Sequence, residues 1–293
     1  MSTKKKIQVS NIFFNDEKGF QQKITLFKKG KKEDVFVISD FDRTITKNFV
    51  NEEEVPSIIS ILRKGNFLGV EYTKKSLNLF NTYHPIEKDI EIIEKEKKEK
   101  MLEWRENHFK ILQEYGLQRS MIEELVKDKR LQIREGVKEF FSFLASQEIP
   151  LIIFSASGLG VDSLRFFLQE KNIEFSNISL VSNDFCWNEE GLLIEYKKPI
   201  IHTCNKEIKI LREGFSTVYD KIEKKKNILL LGDSLGDVCM AEGFPYENII
   251  KIGFLNKEDD KYLSAYKEIY DVVITGDGDF SFILDLGKEI FGK

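Results

Sequence analysis

Cysteine is scarce in this chain of 293 residues: Cys186, Cys204 and Cys239 are scattered, with no CxxC pair. A low, odd count without paired spacing excludes a disulfide framework and a cysteine-built metal site, and it fits a reducing compartment. No apolar run approaches the roughly 20 residues that a bilayer span requires. The basic Lys4–Lys6 is followed by no apolar core of a secretory signal. Neither sign of charge dominates, since the net charge is −4, so nothing points to nucleic-acid binding. The runs Lys4–Lys6 and Lys28–Lys32 read as solvated terminus and loop. The histidines His84, His108 and His202 lack ligand spacing, and no internal repeat is present. What remains is a folded globular chain, 41% hydrophobic and 32% charged. The default expectation is a cytoplasmic monomer that engages no nucleic acid and no membrane.

Apolar runs at Val35–Ser39, Pro150–Phe154, Ile228–Leu231, Asn248–Gly253 and Asp271–Thr275 predict strands. Helical patterns at Arg134–Ser146, Gly158–Asn172, Asn205–Glu213 and Lys257–Lys267 lie between them. This alternation predicts an α/β fold with a mostly parallel, Rossmann-like sheet covered by helices on both faces. Residues 1–34 are mixed, and Ile7–Phe14 fits a short strand or a helix equally. Residues 50–132 carry almost no strand signal. One helix from Glu87 to Tyr115 is expected there, with Ile90, Ile93, Met101, Leu102, Phe109 and Leu112 on its apolar side and the charge run Glu94–Lys100 facing solvent. The division expected is therefore an α/β core, 1–49 with 133–293, interrupted by an all-helical cap, 50–132. An insert after the first strand would overhang the ends of the strands as a lid.

Three strand ends carry chemistry. Val35–Ser39 runs into Asp40-Phe41-Asp42-Arg43-Thr44, two carboxylates one residue apart where open α/β sheets bind ligands. One could attack and the other move a proton, or both could help hold Mg²⁺, which takes oxygen ligands. Ile152–Phe154 ends in Ser155-Ala156-Ser157-Gly158. There a hydroxyl and free backbone N–H groups near a helix start suit an anion. Asn227–Gly232 ends in Asp233 and Asp237, four apart, so one helical turn could bring both acids to one side. Read singly, these are also ordinary turn acids, helix-start acids and a turn serine.

Together, in this order, the three motifs resemble the haloacid-dehalogenase-like phosphatase superfamily. The resemblance implies Asp40 as nucleophile and Asp42 as general acid and base. It implies an Mg²⁺ ion held by Asp40, Asp233 and the backbone carbonyl of Asp42, with Asp237 in the outer shell. Ser155 would bind phosphate, and Thr44 would orient the loop. Ser157 stands where the fuller superfamily form has glycine. A phosphate-binding lysine is also implied, for which Lys197 and Lys206 fall in the right interval.

A closer resemblance, to the cytosolic pyrimidine 5′-nucleotidases (type III), selects between them. It rests on Glu190-Gly191-Leu192 through Ile201-His202-Thr203-Cys204-Asn205-Lys206, and it makes Lys206 the phosphate lysine. Arg134-Glu135-Gly136, Val181-Ser182-Asn183 and Lys251–Asn256 support it. Tyr83-His84-Pro85-Ile86-Glu87 resembles the family's base-reading element, with His84 replacing a tyrosine, and implies Glu87 as hydrogen-bond acceptor for an exocyclic amine. Met101-Leu102-Glu103-Trp104 implies Trp104 as the base-packing indole. Phe67 is a candidate for the opposite face. The implied activity is Mg²⁺-dependent hydrolysis of nucleoside 5′-monophosphates, pyrimidine or 7-methylguanosine, through an aspartyl-phosphate. The alternatives are a phosphatase of the same superfamily acting on another small phosphomonoester, a nucleoside phosphotransferase, and a non-catalytic nucleotide-binding protein.

Overall fold

The apolar run Val35–Ser39 lies at the middle of a seven-stranded sheet in the computed structural model, which describes residues 11–89, 91–257 and 260–292. In chain order the strands are β1 (Ile12–Phe14), β2 (Val35–Ser39), β3 (Leu151–Phe154), β4 (Ile178–Val181), β5 (Asn227–Gly232), β6 (Asn248–Leu255) and β7 (Val272–Thr275). Their spatial order is β1-β7-β6-β5-β2-β3-β4. Only β1 is antiparallel to its neighbour.

Every residue of β2, β3, β5 and β7 is buried. That is why these strands read as unbroken apolar runs, since both faces of the sheet are covered. Alternation along β2 divides the core. Val35 and Val37 join Phe20, Ile24, Phe140, Phe141, Ile283 and Leu286 on one face. Phe36 and Ile38 join Ile208, Leu211 and Met240 on the other. The helices supplying the first face are Glu17–Lys29, Val137–Ser146 and Ser281–Phe291.

From β2 the chain moves to β3 and β4 on one side, then returns to β5, β6 and β7 on the other. The reversal opens a crevice at the carboxyl ends of β2 and β5, the place where such sheets bind ligands. Asp40, Ser155 and Asp233 follow directly on β2, β3 and β5.

The segment between β2 and β3 folds as helices Ile58–Lys64, Val70–Lys88, Glu94–Glu114 and Arg119–Leu125. Two expectations need correction here. The insert is not all-helical, because Phe49–Val50 and Glu53–Glu54 pair as a small antiparallel hairpin turned by Asn51 and Glu52, both at positive φ. In place of the expected single helix from Glu87 to Tyr115, one helix ends at Lys88 and a second runs over Glu94–Glu114. Ile90 lies outside the described residues, as do Lys4–Lys6 and residues 7–10 of the open Ile7–Phe14 segment. Residues 258–259 of the expected Lys257–Lys267 helix also lie outside; the observed helix is Asp260–Ile269. A second hairpin, Phe185–Trp187 with Leu193–Tyr196, packs on the insert from the later part of the chain. Its Leu193 N–H donates to Leu117 O over 2.9 Å, and Phe109 of the insert sits 5.1 Å from Phe185 and 5.2 Å from Tyr196, ring centre to ring centre.

Candidate active site

Lys206 is the centre of the crevice. Its side chain is 5% exposed and donates to Asp40 Oδ1 over 2.7 Å and to Asp237 Oδ1 on its other side. Burial alone would lower its pKa, but the two carboxylates prevail and raise it, so it stays an ammonium. The loop that delivers it is built by two asparagines. Asn205 accepts from the N–H of His202 at 2.8 Å and donates to Ile200 O at 2.9 Å. Asn183 exchanges two bonds with the backbone of Ile201 and donates to Ser157 O at 3.1 Å, so the Lys206 loop and the Ser155–Gly158 loop are tied together. Lys197, the rival lysine, is exposed and pairs with Asp184 at 2.6 Å.

Asp40, Asp233 and Asp237 each place a carboxylate oxygen within 4.8 Å of the others. Asp237 is nevertheless saturated: Lys206 takes one oxygen, while the N–H groups of Asp233 and Ser234 and the Ser234 hydroxyl donate to the other at 3.1, 2.9 and 2.9 Å. It anchors the loop, whereas Asp40 has Lys206 on one oxygen only and Asp233 forms no ion pair among the described residues. Thr44 Oγ1 lies 3.5 Å from both Asp40 Oδ2 and Asp233 Oδ1. Tyr266 and Tyr270 donate to the carbonyls of Asp233 and Ser234, each over 2.5 Å.

Crowded carboxylates in a dry crevice hold protons tightly. Burial, with Asp237 and Asp42 adding to it against Lys206, pushes Asp40 up to about 7. Burial followed by Asp40 and Asp237 raises Asp233 well above the carboxylate range. Such a donor set, all oxygen and mutually repelling, suits a hard divalent cation. The Asp42 carboxylate lies outside this cluster. It is raised by burial against Arg43, Lys206 and Arg105, and it forms no ion pair among the described residues. Ser155 is 2% exposed, with its N–H on Val181 O.

Two residues of this site were given no role by the sequence, although the first lies in a segment that supports the resemblance. Arg134, 0% exposed as a side chain, pairs with Asp277 at 2.9 Å and donates to the carbonyls of Arg43, Thr44 and Gly278 and to Asn256. It clamps the backbone that follows Asp42. Asp277 also accepts from the N–H groups of Asn48 and Phe49. The second is Arg105, whose Nη1 would lie 3.1 Å from a methyl group placed on Gly158. Beside it, His108 Nε2 is 3.0 Å from Gly158 O.

Glu87 ends the helix Val70–Lys88, half-buried and without an ion pair among the described residues. Trp104 packs with Tyr83 and Met101, its ring parallel to Tyr83 at 6.0 Å and tilted against Phe80 at 6.3 Å. His84 stacks on Phe80 at 4.4 Å. Phe67 packs instead on the main core beside Gly65, so Tyr83 and Phe80 are the rings next to Trp104. Arg105 acts electrostatically on both Glu87 and Asp42, linking the insert to the strand ends.

Comparison with known proteins places this geometry. The family model described as "Pyrimidine 5'-nucleotidase (UMPH-1)" matches residues 43–290. A Xenopus laevis protein named 7-methylguanosine phosphate-specific 5′-nucleotidase A is 36% identical over 267 residues, 91% of each chain. The human protein named 7-methylguanosine phosphate-specific 5′-nucleotidase is 36% identical over 88% of this chain and 85% of its own. The crystal structure of cytosolic 5′-nucleotidase IIIB bound to cytidine superposes with a TM-score of 0.86 at 30% identity, covering 95% of this chain and 93% of that one. With the match running through nearly the whole chain, from the loop after Asp40 to the last helix, this protein belongs to the pyrimidine 5′-nucleotidase family.

Proposed function

We propose that this chain hydrolyses nucleoside 5′-monophosphates to nucleoside and phosphate, with Mg²⁺, through an aspartyl-phosphate on Asp40. The observation that carries the reading is the buried Lys206 bridging Asp40 and Asp237 at the strand ends.

Asp40 attacks phosphorus, and the ester oxygen leaves with a proton from Asp42. Asp42, now a base, takes a proton from the water that cleaves the acyl-phosphate. Lys206 and Ser155 hold the phosphate. Asp40 and Asp233, with the Asp42 carbonyl, would hold Mg²⁺, which neutralises charge on the transferring group when bound. Asp237 fixes Lys206 and the Asp233 loop from behind. The raised pKa of Asp40 is consistent with a carboxylate that ionises fully only beside that cation. Residues 50–132 serve as the cap that selects the base and excludes water, over a core of residues 1–49 and 133–293. Glu87 accepts from an exocyclic amine, which favours CMP over UMP at neutral pH, and Trp104 offers its indole to the base. The names of the relatives make 7-methylguanosine monophosphate a second substrate to test. Among the described residues no helix is long and apolar enough to cross a membrane.

The test is phosphate release from a panel of nucleoside monophosphates and non-nucleotide phosphomonoesters, with Mg²⁺ and with EDTA, beside Asp40→Asn. Release concentrated on nucleotides, dependent on Mg²⁺ and lost in Asp40→Asn is the expected result. Release mainly from non-nucleotide esters would discard the role given to the insert.

A further inference from the structure

We propose that Arg105 is a phosphate-binding residue: delivered by the helix Glu94–Glu114, its guanidinium completes the anion site above the Ser155–Gly158 loop. The inference rests on the nucleotidase reading and adds to it a cation that the strand-end motifs do not contain.

The guanidinium leans on the loop itself. A methyl group on Gly158 would lie 3.1 Å from Arg105 Nη1, 3.3 Å from Ile59 and 3.4 Å from His108 Nε2. Its Nε is buried with no hydrogen-bond partner, and among the described residues no carboxylate forms an ion pair with it. The two buried arginines among the described residues are satisfied: Arg134 by Asp277, three carbonyls and Asn256, and Arg63 by Ser76 at 3.1 Å and the face of Phe80. Arg105 as a whole is half-buried, but a cation whose Nε is dry and unbonded is costly unless a ligand supplies the bond. The acids that face it, Glu87 and Asp42, act on it electrostatically without forming an ion pair among the described residues. His108 and His202 are held neutral by burial, with Arg105 contributing, so neither imidazole competes for an anion. Its one ring contact is Trp104, at 5.6 Å.

The charge arithmetic points to phosphate rather than to the base. Lys206 is already shared by Asp40 and Asp237. A phosphate dianion entering beside these acids brings two further negative charges. A planar fork matches phosphate oxygens in a way a point charge does not. Because the fork sits on the insert, the anion site is whole only when the insert lies over the strand ends.

The experiment compares wild type with Arg105→Ala and Arg105→Lys. It reads kcat/KM on CMP and on p-nitrophenyl phosphate, and calorimetric binding of inorganic phosphate and of cytidine. Expected for Arg105→Ala is a similar loss on both esters, on the order of 100-fold as for one preorganised donor. Phosphate affinity should fall in parallel while cytidine affinity holds, with Arg105→Lys between the two proteins. A loss confined to CMP, or unchanged phosphate binding, overturns the proposal. If Arg105→Ala does not fold, Arg105→Met keeps the aliphatic stem and is judged by the same readings. Should wild type release phosphate from neither ester, the nucleotidase reading falls, and phosphate binding to wild type and variant still decides Arg105.

Discussion

The ammonium of Lys206 lies 2.7 Å from Oδ1 of Asp40, with both side chains almost wholly buried. With Asp237 on its other side, this ammonium is the charge that balances two dry carboxylates. Lys206→Met, close in shape but uncharged, should destabilise the fold by about 3–5 kcal/mol, as expected when one member of a buried ion pair is removed. Urea denaturation without added metal measures it. A loss below about 1 kcal/mol would mean that Asp40 and Asp237 share a proton in the native state and scarcely need the lysine.

Asp42 has no ion pair to lose, so its substitution should be a kinetic event and not a structural one. Asp42→Asn is expected to keep its melting temperature and to lose about 10²- to 10⁴-fold in turnover of CMP. With p-nitrophenyl phosphate, whose leaving group needs no proton, phospho-Asp40 should accumulate because the attacking water lacks its base. Acid quench followed by intact-mass measurement reads this directly, and absence of the adduct would remove Asp42 from the second step.

Buried neutral imidazoles make stability depend on pH. His108 is pushed down to about 3 by burial, then by Arg105 and Arg63. Between that value and the ordinary 6.5 the unfolded chain binds more protons than the folded one, so stability rises with pH across the window and is lost on acidification. The slope is at most about 1.4 kcal/mol per pH unit for one proton. His108→Gln keeps a donor for Gly158 O without titrating. The difference between the two urea-midpoint profiles isolates His108 from His202, pushed down to about 4, and from Asp40, whose raised pKa acts with the opposite sign. Parallel profiles would mean that His108 is solvated.

Arg134 holds the carbonyls of Arg43 and Thr44, one and two residues past Asp42. Arg134→Met leaves those carbonyls and Asp277 unpaired in a dry site. We expect a loss of about 3–5 kcal/mol and a drop in kcat larger than the change in KM. A stable variant with normal kcat would show that the loop after Asp42 holds its own shape.

The proposed base preference rests on one carboxylate, Glu87. Glu87→Gln should bring kcat/KM for CMP and UMP together, with CMP losing about 10- to 100-fold as a charge-assisted hydrogen bond is removed. An unchanged CMP:UMP ratio would take base reading away from Glu87.

The strand-end chemistry was legible because each piece is local: an apolar run, then the acid or hydroxyl. Asp40, Ser155 and Asp233 stand at the crevice for that reason, whereas Lys206 was singled out only by the closer family resemblance. What escaped was assembled across the chain. Arg134 reaches Asp277, 143 positions on by its number, and Asn183 stitches two loops to each other; neither leaves a periodic trace. β4 was missed because Ile178–Val181 is short and alternates with half-buried residues, unlike the unbroken runs beside it. The helix Val70–Lys88 buries only Tyr72, Ser76 and Tyr83 fully, too few apolar positions to raise a helical pattern. Arg105 looked like one more surface charge in a charged helix, and only the tertiary contact with Gly158 distinguishes it.

The one antiparallel strand of the seven-stranded sheet has a consequence for handling the protein. β1 pairs Ile12 with Ile274, Phe13 with Val273 and Phe14 with Val272, and so covers the outer rim of β7. Without those three residues β7, buried along its whole length and apolar but for Thr275, would present an open row of N–H and C=O groups to any neighbouring chain. Trimming the chain past Phe14 leaves every residue of the crevice in place, yet it creates a template for edge-to-edge aggregation. The first strand is thus a solubility element, and tags or cleavage sites belong ahead of Ile12.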